Sequence, residues 1–169
     1  MTLHRYGLIS DTHGSLHPAV FEAFKGIEAI LHAGDVCSDF ILSDLETIAP
    51  THGVLGNCDQ PAPSLPPLRV LDFPFGRCVL THSHLIEPLG GGAARLARHF
   101  RTQAPRLIVF GHTHKPLREE VDGVWLVNPG PAGKPRFRDS PQIVVMTWDS
   151  ERDTLTFEDV PLDWSSLSR

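Results

Sequence analysis

Five short apolar runs in this chain each stop, on their C-terminal side, at a loop carrying Asp, His or Asn. Tyr6-Gly7-Leu8-Ile9 leads into Ser10-Asp11-Thr12-His13-Gly14, and Ala29-Ile30-Leu31 into His32-Ala33-Gly34-Asp35. Val54-Leu55 leads into Gly56-Asn57-Cys58-Asp59, residues 77–80 into Thr81-His82-Ser83-His84, and Leu107-Ile108-Val109-Phe110 into Gly111-His112-Thr113-His114. Short apolar runs bounded by turn residues read as buried strands. In an open α/β sheet, ligand sites collect at the carboxyl ends of the strands. Polar loops scattered along the sequence are thereby able to meet at one place.

Between these runs lie helical patterns, which predicts an α/β layer architecture. Leu16, Val20, Phe21, Phe24 and Ile27 follow helical spacing, with Pro18 in the first turn, where it is tolerated. Further helices are expected over residues 40–48 and 92–103. Residues 70–73 and 77–80 read as a hairpin around Pro74-Phe75-Gly76, and three more strands are expected near 124–127, 143–147 and 154–158. The proline-rich stretch 60–67 reads as an extended loop. There is no repeat and no domain boundary, so residues 1–169 read as one domain.

Composition narrows the functional classes. A chain with 41% hydrophobic and 21% charged residues has the makings of a core, which argues against disorder. The formal net charge of -5 provides no global field for nucleic acid or an anionic membrane. Without a basic stripe or a stacking platform, a long nucleic-acid polymer is disfavoured as a substrate. Local cations (Arg95, Arg98, Arg101, Lys134, Arg136 and Arg138) remain to meet a small anion. Three cysteines without a CxxC pair suit a reducing compartment. With no signal-like start and no long apolar stretch, the expectation is a cytoplasmic protein with no membrane span.

The candidate metal ligands are Asp11, His13, Asp35, Asn57, His82, His112 and His114. Each motif alone has an ordinary structural use: Asp11-Thr12-His13 as an Asx-type turn, Gly34-Asp35 as turn chemistry, Gly56-Asn57 as a helix start. His82 and His84 alternate along a strand end and fit either a shared direction or a hydrogen-bonded pair. Gly111-His112-Thr113-His114 is the sharpest signal. Together, carboxylate, imidazole and amide oxygen form an oxygen/nitrogen set suited to Mn²⁺, Zn²⁺, Fe²⁺ or Co²⁺. Seven ligands exceed what one tetrahedral ion needs and fit two ions with Asp35 as a bridge, Gly34 leaving room for close approach. Two such ions hold a bridging hydroxide for in-line attack at phosphorus. His4, His17, His52 and His99 read as surface or packing histidines. His32, His84 and Asp59 read as groups that orient a ligand or touch phosphate.

The ordered series Asp11-x-His13, Gly34-Asp35, Gly56-Asn57-x-Asp59, His82-x-His84 and Gly111-His112-x-His114 resembles the calcineurin-like metallophosphoesterases. Within them it is similar to the small single-domain YfcE-type phosphodiesterases, as is Asn128-Pro129-Gly130. The resemblance spans residues 6–131. It implies a four-layer α/β/β/α sandwich of two mixed β-sheets flanked by helices, and a dinuclear site at one edge. It implies Asp11, His13, Asp35 and His114 on one metal, and Asp35, Asn57, His82 and His112 on the other. It places Asp35, Asn57, His82, Cys58 and Asp59 around the reacting phosphate of a small ester. It also implies Mn²⁺ before Zn²⁺, Fe²⁺, Ni²⁺, Co²⁺ or Mg²⁺, and homo-oligomers such as a dimer or tetramer.

Two positions depart from the broader family. Cys58 stands where many members carry the His thought to protonate the leaving group, and Ser83 stands in place of a glycine. A non-catalytic scaffold like a retromer subunit is the competing reading, set back by the complete ligand set. A metallo-β-lactamase-like hydrolase wants a compact His-x-His-x-Asp-His block that the chain lacks. Substrate choice is expected from the loops at 60–68, 86–92 and 131–140.

Overall fold

Period-two alternation with both phases apolar marks the main strands as buried on two faces. In the computed structural model, which describes residues 2–86 and 92–167, this alternation builds two sheets packed face to face. The first sheet holds β1 (Leu3–Ile9), β2 (Ala29–His32), β3 (Thr51–Gly53), β9 (Gln142–Asp149) and β10 (Thr154–Pro161) in the order β10-β9-β1-β2-β3. The second holds β4 (Leu68–Phe73), β5 (Gly76–Thr81), β6 (Leu107–Val109), β7 (Leu117–Val121) and β8 (Val124–Asn128) in the order β4-β5-β6-β8-β7. Both are mixed: β1, β2 and β3 run parallel, as do β5, β6 and β8, with antiparallel strands at the flanks.

Three hydrophobic clusters correspond to the three interfaces of a four-layer stack. Leu8, Leu31, Val144 and Met146 of the first sheet meet Cys78, Leu80, Leu107 and Val127 of the second between the sheets. The opposite phase of the same strands faces outward. Ile9, Ile30 and Val145 pack under α1 (Ala19–Ala23) and α2 (Asp39–Glu46) through Val20, Phe24, Ile41 and Leu45. Val79, Ile108 and Leu126 pack under α3 (Gly92–His99) through Ala93 and Leu96, with Phe100 just beyond. The α/β/β/α sandwich is therefore as expected.

Several boundaries differ from the sequence reading. The third strand is Thr51–Gly53 and not Val54-Leu55, because it is a short polar edge strand. Val54 lies just past it, its N–H still donating to the His32 carbonyl at 3.2 Å. The third helix stops at His99, and a separate 3-10 turn covers Arg101–Gln103. The first helix is only 5 residues long. Strand β7 has no counterpart in the sequence reading: Arg118, Glu119 and Glu120 leave it without an apolar run. Asp122 and Gly123, at φ 51° and 79°, form its hairpin turn to β8, the tight Asp-Gly turn that left-handed backbone favours. The expected substrate loop at 86–92 lies outside the described residues between 87 and 91.

Phe75 shows what holds the sheets together at the end of the β4–β5 hairpin. It is 1% exposed, stacks on Phe73 at 5.1 Å and meets the edge of Tyr6 at 5.0 Å. Phe75→Ala should cost about 3–5 kcal/mol of stability, measured by urea unfolding. A loss below about 1 kcal/mol would mean that the hairpin does not brace the inter-sheet core.

Candidate metal centre

The loops that leave β1 and β2 continue to pair after the strands end. Asp11 N–H donates to the Gly34 carbonyl at 3.0 Å, His13 N–H to that of Asp35 at 2.9 Å, and Gly14 N–H to that of Val36 at 2.8 Å. The second sheet brings its own loops to the same place. Gly111 must be a glycine for this, since a Cβ there would collide with Ser10 Oγ and lie 2.8 Å from Asp11 Oδ2. Gly34 serves differently from the sequence expectation. A Cβ there would stand 2.8 Å from His82 Nδ1, so the missing side chain admits the His82 ring of the opposite sheet.

Five of the seven candidate ligands sit in left-handed backbone: Asp11 (φ 51°), His13 (46°), Asp35 (54°), His112 (72°) and His114 (55°). Non-glycine residues rarely adopt this conformation, and clusters of them concentrate at functional sites. The turns aim the side chains inward at the junction of the two sheets.

The structure gathers all seven. Asp11, His13 and His114 offer ligand atoms within 4.8 Å of one another, and so do Asp11, Asp35 and His82. A third such group joins His13 and Asp35 to the Cys58 thiol. Asn57 Oδ1 lies 3.0 Å from both His82 Nε2 and His112 Nδ1. Asp35 stands between the two sides: its Oδ2 is 3.8 Å from His13 Nε2 and 3.4 Å from His82 Nε2. Asp11 is fully buried; its Oδ2 accepts from Ser10 Oγ at 2.6 Å and from the His112 N–H at 3.2 Å. Its Oδ1 lies 3.3 Å from His114 Nε2, an approach of opposite charges without directed hydrogen-bond geometry.

Proton positions follow from the partners. His82 Nδ1 faces the Ala33 carbonyl at 2.8 Å, which only accepts, so Nδ1 carries the hydrogen. Nε2 then points at Asn57 Oδ1 and Asp35 Oδ2, which also only accept. His114 repeats the pattern: Nδ1 faces Asp139 Oδ2 at 3.0 Å, while Nε2 faces Asp11 Oδ1 and, at 3.1 Å, His13 Nε2. At His114 the second neighbour, His13 Nε2, donates or accepts with its tautomer; at His82, Nε2 meets lone pairs only, and a positive species reconciles them: a proton or a metal ion. Without metal, a proton does so. The Asp11 carboxylate, with Asp139 behind, raises His114 to about 9 against the opposing effect of burial. For His82, burial alone would lower the pKa, but the Asp35 carboxylate and the Asp11 charge raise it. Burial would lift Asp35, yet the His82 ring and the Cys58 N–H hold its carboxyl well below the usual range. A divalent cation fits this donor set, since it replaces those protons with the charge the oxygens require.

Other predicted residues fall into supporting places. Asp59 accepts from Cys37 N–H and Gly56 N–H, both at 2.7 Å, and so shapes the loop that carries Asn57. Cys58 is exposed beside Asn57, whose amide N–H approaches its sulfur at 3.4 Å. His84 is 5.5 Å from His82 and 6.2 Å from His112 between ring centres, beside the cluster and outside it. His17 is a packing histidine, 5% exposed and bonded to the Asp163 carbonyl side at 3.1 Å. Two residues were absent from the predicted site. Asp139 backs His114, and no motif marks it. Asn128 donates to the Gly111 carbonyl and to Thr113 Oγ1, both at 3.0 Å, and thereby holds the His112–His114 loop. The Asn128-Pro129-Gly130 signature was its visible trace.

Residues 5–151 match the calcineurin-like phosphoesterase superfamily domain. The chain belongs to this superfamily. It is 36% identical to a probable metallophosphoesterase of Methanothermobacter thermautotrophicus over 153 residues, covering 86% of this chain and 87% of the relative. It is 26% identical to a phosphodiesterase of Methanocaldococcus jannaschii, over 75% of this chain and 82% of the other. Among solved structures, vacuolar protein sorting 29 of Cryptosporidium parvum superposes with a TM-score of 0.76 at 22% identity, covering 95% of this chain and 98% of that one. That last likeness shows the fold alone. Membership of this superfamily implies divalent metal ions, and the chain carries candidate ligand clusters for them.

The protonated His114 has a consequence for the metal-free protein. Its folded pKa of about 9 exceeds the ordinary 6.5, so the stabilisation is complete below pH 6.5 and is lost as pH rises through 9. Chelator-treated protein should therefore show a falling Tm from pH 6.5 to 9, and His114→Asn should flatten that fall. A Tm that rises over this range in the unmodified chain would refute the assignment.

Proposed function

We propose that the protein is a metal-dependent phosphodiesterase with a dinuclear centre. Asp11, His13, Asp35 and His114 would hold one divalent ion, and Asp35, Asn57, His82 and His112 the other, with Mn²⁺ the first choice. The observation that carries this reading is the buried Asp35 carboxylate with His13 Nε2 at 3.8 Å on one side and, at 3.4 Å on the other, His82 Nε2, whose neighbours are acceptors only. Metals bound there supply Lewis acidity to phosphate oxygens and lower the pKa of water from ~15.7 towards ~7.

The chain's own residues set the limits of the reaction. Buried Asp11 and Asp35 provide the fixed negative charge that retains the cations. Asn57 adds a neutral oxygen at the exposed mouth, where an anionic ester arrives. Cys58 next to it is a weak proton donor: burial and the Asp35 charge push its thiol up, so it stays neutral and poorly acidic. A leaving group must then depart largely unassisted. That favours diesters of acidic alcohols.

The phosphodiesterase of Methanocaldococcus jannaschii supports the diester preference, and the three free thiols support residence in a reducing compartment. No helix among the described residues is long and apolar enough to cross a membrane. The likeness to vacuolar protein sorting 29 keeps a protein-interaction scaffold as the second reading.

Chelator-stripped protein, reloaded with single metals, should bind two ions per chain and hydrolyse bis(p-nitrophenyl) phosphate. Asp35→Ala or Asn57→Ala should lower turnover by at least about 10²-fold with the circular dichroism unchanged. Neither metal uptake nor hydrolysis would leave the scaffold. Across a series of aryl and alkyl diesters, log kcat should fall steeply as leaving-group pKa rises; a flat plot would show that some group does protonate the leaving oxygen.

A further inference from the structure

Three pockets flank the metal cluster: one of about 560 Å³ runs past His114 and Asp139, and the other two differ in chemistry. The larger of these two, of about 470 Å³, lies beyond Cys58 and is lined by Val36, Leu42 and Leu65 together with Asp39 and Asp59. Its carboxylates repel an anionic ester, and both oxygens of Asp59 are already engaged by Cys37 and Gly56 N–H groups. The other, of about 310 Å³, opens next to His84 on the opposite side and has no carboxylate among its described lining residues. Its size lies at the lower end for small-molecule sites.

This second pocket carries two kinds of unexplained cost. Leu68 and Leu85, 36% and 75% exposed, hold apolar surface towards water at its rim. Ile86 and Phe100 continue the apolar wall. Ser83, which also lines it, is 3% exposed and held at φ 70°. Its Oγ, like His84 Nδ1 on the next residue, is buried without a hydrogen-bond partner among the described residues. A left-handed serine costs on the order of 1–3 kcal/mol, and a buried unpaired polar atom a similar amount. Such costs persist where a ligand relieves them, and each such atom calls for a reason. Ser83 directly follows His82, so the unpaired atoms sit one side chain from the cluster.

We propose that this pocket receives the organic group of the phosphodiester, and that the group is a planar heteroaromatic ring. Its faces lie against Leu68, Leu85, Ile86 and Phe100, and its polar edge meets Ser83 Oγ and His84 Nδ1 once these two side chains, closed to solvent in this structure, rotate towards the pocket. The assignment rests on the phosphodiesterase reading and deepens it by naming the substrate class. An alkyl group would fill the apolar wall but leave both polar atoms unpaired; a sugar alone would pair them but waste the wall.

The test separates the pocket from the chemistry. Three diesters share the p-nitrophenyl leaving group and differ in the retained group: methyl, phenyl and thymidine 5′-. In the Mn²⁺-loaded enzyme KM should fall in that order, by about tenfold or more from first to last. Leu68→Trp should raise KM for the phenyl and thymidine esters about tenfold relative to the methyl ester, and Ser83→Ala for the thymidine ester relative to the phenyl ester. Leu85→Trp, at an exposed position that tolerates the bulk, repeats the first comparison should Leu68→Trp fold poorly. Equal KM values across the three esters, or ratios that the tryptophans leave unchanged, would overturn the pocket. A binding readout stands apart from turnover: phenylphosphonate, whose P–C bond resists hydrolysis, should shift the methyl NMR signals of Leu68 and Leu85 in Zn²⁺-loaded protein. Those shifts without turnover of any ester would remove the hydrolase reading and keep the pocket. Shifts at Leu42 and Leu65 instead, or none, would remove the pocket.

Discussion

Two carboxylates buried where two sheets meet require positive charge beside them, and the site is organised around that requirement. Asp11 and Asp35 are 0% and 3% exposed, and no lysine or arginine pairs with either among the described residues. Backbone and hydroxyl donors satisfy part of their demand: Ser10, Cys58 and the His112 N–H. The remainder falls to imidazoles that hold a proton when metal is absent. An uncompensated buried carboxylate costs far more than any of these contacts returns. The cluster is consequently built to be completed by a cation, and a proton serves as the weaker occupant.

Placing those groups demands backbone that the sheets do not supply. Strands deliver each loop to the carboxyl edge, but an extended chain points alternate side chains to opposite faces. Left-handed residues break that alternation at five candidate ligand positions. Asp11, His13 and Asp35 are held there by the ladder between the β1 and β2 loops and by Ala132 and Gly133, whose N–H groups donate to the Ser10 and Asp11 carbonyls; Asn128 holds the loop of His112 and His114. Strain at the site and regularity in the sheets are thus coupled: the rigid four-layer core fixes the ends of loops that are locally unfavourable.

Much of this was legible in the sequence because apolar strands and polar loop tips alternate so cleanly. The α/β layering, the convergence of the seven candidate residues and the hairpin at 74–76 were visible as pattern, and the two-sheet stack followed from the family resemblance. What escaped lacked an apolar signature. Strand β7 is polar along its exposed middle, and only Asp122-Gly123 betrayed it. Strand β3 was displaced onto Val54 because the paired residues Thr51, His52 and Gly53 look like loop. Asp139 stands 25 residues beyond His114 in an irregular segment, and nothing local to it announces a partner. Such contacts are properties of the fold and not of any window of sequence.

Histidine shows this limit most sharply. His32 ends a strand and His82 directly follows one, both are fully buried, and both adjoin the same cluster. What faces Nδ1 separates them. At His82 a carbonyl accepts from Nδ1–H, which leaves Nε2 with a lone pair for a cation. At His32 the Gly34 N–H donates to Nδ1 at 3.2 Å, so the hydrogen moves to Nε2 and is given to Thr12 Oγ1 at 3.0 Å. That ring has no lone pair left to offer, and burial lowers its pKa to about 4 despite the carboxylates nearby. It ties the two ligand loops together as a neutral strut. One backbone group, donor or acceptor, thereby decides whether a buried histidine beside two carboxylates binds charge or merely spans the gap between the loops that do.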